Sequence, residues 1–276
     1  MSTRINHNIL SLTAQRNLQV TQNQLDQAVA RLSSGLRINQ AWEDPAGLAV
    51  SEKFRAQIAS LQEAERNANY NINLLETAEG ALSVIDEKLV RLRSLAVQAA
   101  NGGLTSEDRA ILDTEFQALL DEIDRIANVT NYNGIYLLDG STASVTFHIG
   151  ANATNNEDYY TVTLNGMRTT DLGINTLDIT TVASAQAAIT SLDTAIASKD
   201  TERTRLGSFV ERLQNTILQL QIAHENAVKS ESTIRDADIA NEMSNFVRSQ
   251  ILMQSGVAML AQANMVPQIV ARLVNG

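Results

Sequence analysis

The chain has 276 residues and a formal net charge of −10, with 44% hydrophobic residues and only 11 aromatic ones. A core of this size must therefore be built from alanine and leucine, which occur 35 and 31 times and lose little freedom in a helix. Zero cysteines exclude a disulfide scaffold, a thiolate zinc site and a thiol nucleophile, and the acidic balance argues against nucleic acid as a partner.

The charge is unevenly spread. Residues 1–42 carry four arginines and one acid, residues 240–276 two arginines and one acid, and the stretch between holds a net −14. Such charge-poor ends are expected to bury against protein rather than to form solvated tails. Met1 to Leu12 lacks the basic and apolar regions of a signal peptide, and no run of 18 apolar residues predicts membrane insertion.

Taken in chain order, Ile5, Ile9, Leu12, Leu18, Leu25, Val29, Leu32 and Leu36 recur mostly at three, four or seven residues, which predicts a helix with one apolar stripe. Ser33-Ser34-Gly35 and Pro45-Ala46-Gly47 predict a bent connector. From Phe54 through Ile58, Leu61, Ala68, Ile72, Leu75, Leu82, Ile85, Leu89, Leu92, Ala96 and Ala99 the spacing is that of a coiled-coil seam. A helix over 46–100 would run about 80 Å at ~1.5 Å per residue. Asn101-Gly102-Gly103 ends it, and Thr105 or Ser106 can cap a second helix over 105–129. That helix carries Leu112, Phe116, Leu119, Ile123 and Ile126, and the short connection predicts an antiparallel pair.

The period then changes. Val145, Phe147 and Ile149 alternate, as do Tyr160, Val162 and Leu164, so 131–180 reads as a small antiparallel β element with an exposed loop at 151–158. A third long helix is expected over 184–233, with a seam from Ile189 to Leu220 made partly polar or exposed by Lys199 and Arg203. Asp236-Ala237-Asp238 can start a last helix carrying Ile239, Met243, Phe246, Met253, Val257 and Leu260, disturbed at Pro267. The expected fold is mainly α: a long antiparallel coiled-coil-like helical rod with a small β-hairpin insert and paired N- and C-terminal helices. An isolated amphipathic helix gains little in water, so the two end helices must meet each other or another subunit.

Several motifs now become specific. Ser33 to Asn39 (SSGLRIN), Asp44 to Ala49 (DPAGLA), Asn69 to Glu79 (NYNINLLETAE), Arg93 to Asn101 (RSLAVQAAN) and Asn133-Gly134 with Leu137-Leu138 resemble the N-terminal signature of bacterial flagellins. Asp236 to Asp238, Ile251-Leu252 with Gln254, and Met259 to Asn264 (MLAQAN) resemble the C-terminal one. The resemblance implies a minimal, core-only member with 1–42 and 237–276 as an inner filament domain and 43–236 as a rod domain. It implies a structural rather than enzymatic role, without cofactor or metal: a subunit of a secreted, extracellular helical homopolymer, the flagellar filament. Further implied partners are an export chaperone, a cap protein and hook-junction proteins. Trp42-Glu43, Glu211 and Thr233 depart from the usual family residues.

Leu18, Leu25, Leu32, Met243, Phe246, Leu252 and Leu260 are the expected polymerisation residues, against the alternative of an ordinary intrachain core. Arg91, Leu95 and Glu115 match positions through which some flagellins engage Toll-like receptor 5, although all three can serve helix packing. His7, His148 and His224 are too scattered for a catalytic or metal constellation. Asp236 and Asp238 start like a calcium loop but lack its glycine and terminal acid, so helix capping is expected. Asn128-Val129-Thr130 and Asn152-Ala153-Thr154 match the N-glycosylation pattern, and Ser and Thr within 141–163 could carry O-linked sugars. A hook–filament junction protein is the nearest rival; a chemoreceptor-like hairpin and an enzyme are more distant ones.

Overall fold

The computed structural model describes residues 7–154 and 157–275; Ile5 and part of the 151–158 loop lie outside them. Five helices occur among the described residues: α1 (Ile9–Ser34), α2 (Pro45–Ala99), α3 (Ser106–Val129), α4 (Val182–Arg235) and α5 (Ile239–Asn275). Between α3 and α4 lie two hairpins, β1 (Asn131–Tyr132) with β2 (Ile135–Tyr136) and β3 (Ser144–His148) with β4 (Tyr159–Thr163). Helix α5 continues through Pro267, where the sequence predicts a disturbance. The chain divides into two compact units, Met1–Ala56 with Asn226–Gly276, and Gln57–Glu225.

The unit Gln57–Glu225 holds most of the core. Leu75, Leu82, Ile85, Leu89, Leu92, Ala96 and Ala99 of α2 are fully buried, facing Phe116, Leu120 and Ile123 of α3 and Ala188, Leu192 and Ala195 of α4. The antiparallel return of α3 is fixed by its N-terminus. Thr105 and Asp108 form a reciprocal capping box, and the buried Arg109 guanidinium donates to the carbonyls of Ala99 at 2.8 Å and Asn101 at 2.9 Å. It thereby satisfies carbonyls that the end of α2 leaves unpaired.

The polar break in the α4 seam takes a definite form. Lys199 is 2% exposed, and its Nζ donates to Asp86 at 2.5 Å and to Asp200 at 2.6 Å. Burial alone would lower the ammonium pKa, but the two carboxylates outweigh it and hold it above the ordinary value. Arg203 is the half-exposed partner of Glu79 at 2.6 Å, while Glu202 takes the neighbouring buried position.

The β3–β4 ladder pairs Ser144–His148 with Tyr159–Thr163, and its inward positions are Phe147, Tyr160 and Val162. Tyr160 stacks on Phe209 of α4 at 5.8 Å, with the Arg212 guanidinium 4.3 Å from its ring centre. Segments leading to α4 are tied to α3: Asp124 accepts from the Thr169 N–H and hydroxyl at 2.7 and 2.8 Å, and Asp113 from the Ile179 N–H at 3.0 Å. The β1–β2 turn places Asn133 and Gly134 at φ 51° and 81°, a pairing that suits Asn-Gly in a two-residue hairpin.

Candidate assembly surface

The unit Met1–Ala56 with Asn226–Gly276 is organised by the antiparallel packing of α1 on α5. Asn8 caps α1 by accepting from the Ser11 N–H, and its amide donates to the Ala263 carbonyl at 2.8 Å. Ser11 donates to Asn264 at 2.7 Å, and at the other end Arg31 pairs with Glu242 at 3.2 Å. The two helices approach closely at Gly256, where a Cβ would lie 2.8 Å from Leu18 Cδ1 and turn that leucine aside. On α1 this seam carries Leu18, Leu25, Ala28 and Leu32; on α5 it carries Glu242, Phe246, Ser249, Met253, Gly256 and Leu260.

The connector between α1 and α2 is held by backbone hydrogen bonds and by the carboxylates of Glu43 and Asp44. Gly35 ends α1 in the left-handed region at φ 72°, donating to the Arg31 carbonyl. A single antiparallel bridge joins Leu36 and Asp236, with the Arg37 N–H donating to the Arg235 carbonyl at 2.6 Å. Glu43 accepts from the N–H groups of Asn39 and Gln40 at 2.8 and 3.1 Å, and Asp44 caps α2 by accepting from Gly47 at 2.8 Å. Arg235 pairs with Glu52 at 2.9 Å; Arg55 first, and Arg235 with it, holds that carboxyl below its ordinary pKa. Asp238 caps α5, accepting from Ala240 and Asn241, as expected of a cap rather than a calcium loop.

The seam leaves much of both helices uncovered. Of the expected polymerisation residues, Leu18, Leu25, Leu32, Phe246 and Leu260 are half-buried within the pair, whereas Met243 and Leu252 are exposed. Exposed on the same helices are Ile9, Leu10, Leu12 and Val20 of α1 and Val247, Ile251, Val257 and Met259 of α5. Periodicity alone passed over most of this second set, because it selects the stripe facing the intrachain partner; the residues off that stripe were the available signal. Burying a fully exposed side chain of this kind is worth roughly 1.5–3 kcal/mol, so a row of half-exposed ones, each gaining part of that, favours association.

Arg91 and Glu115 form an ion pair at 2.7 Å with both side chains about half exposed. Leu95 is 1% exposed and packs in the core, the helix-packing alternative expected for it. The histidines stay apart: His148 lies in β3 stacked on Tyr159, and His224 meets Gln62 at 3.0 Å. Among the described residues no group of three or more His, Cys, Asp or Glu could hold a metal ion, and no helix is long and apolar enough to cross a membrane.

The profile of the bacterial flagellin N-terminal helical region matches residues 5–143, and that of the bacterial flagellin C-terminal helical region matches 189–274. The chain belongs to the bacterial flagellin family. It is 44% identical to a flagellin of Halalkalibacterium halodurans over 98% of this chain and 99% of that protein. It is 41% identical, with the same two coverages, to the flagellar filament 33 kDa core protein of Treponema phagedenis. The crystal structure of Bacillus cereus flagellin is 34% identical and superposes with a TM-score of 0.51, covering 56% of this chain and 88% of that one. The two flagellin profiles take in α1 to α3 on one side and most of α4 with α5 on the other, leaving the β3–β4 hairpin between them. This is a core-only flagellin.

Proposed function

We propose that the chain is the structural subunit of a bacterial flagellar filament, added one copy at a time to a helical homopolymer that serves swimming motility. The observation that carries this reading is the uncovered apolar surface on both α1 and α5, on a chain whose relatives are flagellins and a flagellar filament core protein. Residues 1–42 and 237–276 act as the inner filament domain, residues 43–236 as the rod domain. Leu18, Leu25, Leu32, Phe246 and Leu260 order the end helices as a pair, and Met243 and Leu252 face neighbouring copies.

The subunit is non-enzymatic and needs no cofactor; it works outside the cell after export. An export chaperone covers α5 before assembly, and the distal cap and hook-junction proteins bound the polymer at its two ends. Arg91 and Glu115 are the surface residues available to Toll-like receptor 5, with Leu95 supporting them from below.

Electron microscopy of the purified, seeded full-length protein tests the reading. Long regular filaments are expected. Protein that stays monomeric with intact ends overturns it, and places the chain with the hook–filament junction proteins.

A further inference from the structure

We propose that Trp42 of one copy inserts into an apolar trough on α5 of the next copy, so that one aromatic contact is made at each subunit addition. This deepens the filament reading and rests on it. Trp42 is the sole tryptophan of the chain and is 67% exposed. It sits in a turn closed by the Glu43 N–H donating to the Gln40 carbonyl at 3.1 Å. Glu43 holds the turn from within, through the N–H groups of Asn39 and Gln40, while Ile38 is buried beneath it and Asp44 caps the following helix. The backbone is thus fixed before any partner arrives. Only two side-chain torsions remain to be ordered, so the indole can contribute most of its 150–250 Å² of contact area at low entropic cost.

The same chain carries a surface with the matching chemistry. Met243, Val247, Ile251 and Leu252 line a shallow trough of ≈ 570 Å³ along α5, together with Ser244 and Arg248. All four apolar side chains are between 45% and 57% exposed. Arg248 has no ion-pair partner among the described residues, which leaves its guanidinium free to lie over an indole face. Met243 offers a thioether to the ring edge. The Ser244 hydroxyl donates to the Ala240 carbonyl and keeps lone pairs for the indole N–H, now held by the Gln40 side chain.

A second copy is the occupant this arrangement fits, because Trp42 is exposed and does not line the trough of its own chain. A contact between unlike patches of identical chains does not close on itself unless its rotation closes a ring; otherwise it propagates as an open helix. It also continues the exposed apolar row of α5 that the filament reading already uses.

The chain's single tryptophan makes the test direct. Emission excited at the red edge, where tyrosine does not absorb, is compared between monomer and seeded filament. A shift to shorter wavelength and a loss of acrylamide quenching are expected on assembly. Trp42→Ala should raise the critical concentration about thirtyfold, the effect of truncating an interface hot spot. Because the chain has no cysteine, Trp42→Cys and Val247→Cys chains can also be mixed. Oxidised mixed filaments should give disulfide-linked dimers that neither variant gives alone. Filaments in which Trp42 keeps its monomer emission, no mixed dimers form and Trp42→Ala assembles normally overturn the insertion and leave the filament reading intact. Failure of the wild-type chain to polymerise overturns both.

Discussion

Tyr160 is buried, and its hydroxyl has no hydrogen-bond partner among the described residues. Burial raises its pKa, against the opposing charge of Arg212. The folded value lies above the unfolded one, so its contribution to stability is complete below about pH 10 and is lost as pH rises through the folded value. Tyr160→Phe keeps the ring on Phe209 and removes a stranded polar atom. It should stabilise the chain by about 1 kcal/mol in urea titration and weaken the alkaline loss. Asp158 shows the opposite sign. The N–H groups of Thr154 and Asn152 donate to its carboxylate at 2.9 and 3.1 Å, and hold its pKa below the ordinary value. Its contribution is present above about pH 3.9 and disappears as pH falls through the lower folded value. The protection factors of the Asn152 and Thr154 amides, taken relative to intrinsic exchange at each pH, should therefore fall in acid, and Asp158→Asn should lower the same factors at neutral pH.

Glycines in the helices divide by what surrounds them. At Gly47 a Cβ would lie 2.8 Å from Asp44 Cγ and 2.9 Å from Ile38 Cδ1, so alanine must displace both the α2 cap and the buried side chain under the connector. Gly47→Ala should cost about 2–3 kcal/mol, combining a lost cap with overpacking. Gly80, in the middle of α2, has nothing within 4 Å of the same position. Gly80→Ala should gain up to about 1 kcal/mol, and denaturant midpoints of the two variants give the comparison. The seam of α2 was legible because its leucines and isoleucines recur at heptad spacing. The seam of α4 was less so. Ala185, Ala188 and Ala195 are fully buried there, yet alanine carries too little hydrophobicity to mark a stripe. Arg203 was assigned a seam position that Glu202 occupies, since a one-residue offset is small on a helix where a few polar side chains reach partners on either side. Leu95 takes the helix-packing alternative, as its spacing from Leu92 and Ala99 on the buried face of α2 allows. Strands β3 and β4 followed from alternation; β1 and β2, at two residues each, are too short to alternate.

The two compact units differ in how their interiors are filled. Gln57–Glu225 contains a continuous core of leucine, isoleucine, aromatic and alanine side chains, whereas among the described residues the α1–α5 seam buries only Ala28 on α1 and the polar Glu242 and Ser249 on α5. Removing residues 1–35 or 239–276 should abolish polymerisation and strip α1–α5 of helicity, while the thermal transition of 57–225 persists. Circular dichroism melting checks this, and a truncated chain that still forms filaments contradicts it. The seam also sets an order of events during synthesis. Arg109 closes on Ala99 across 10 residues, but Asn8 must wait for Ala263, 255 residues later. At ribosomal rates of about 5–20 residues per second, that interval is on the order of tens of seconds. Loop closure over such a separation adds little to equilibrium cost but delays the encounter. The first helix of this flagellin is therefore born without its mate, and through most of translation its leucines are free for whatever meets them first.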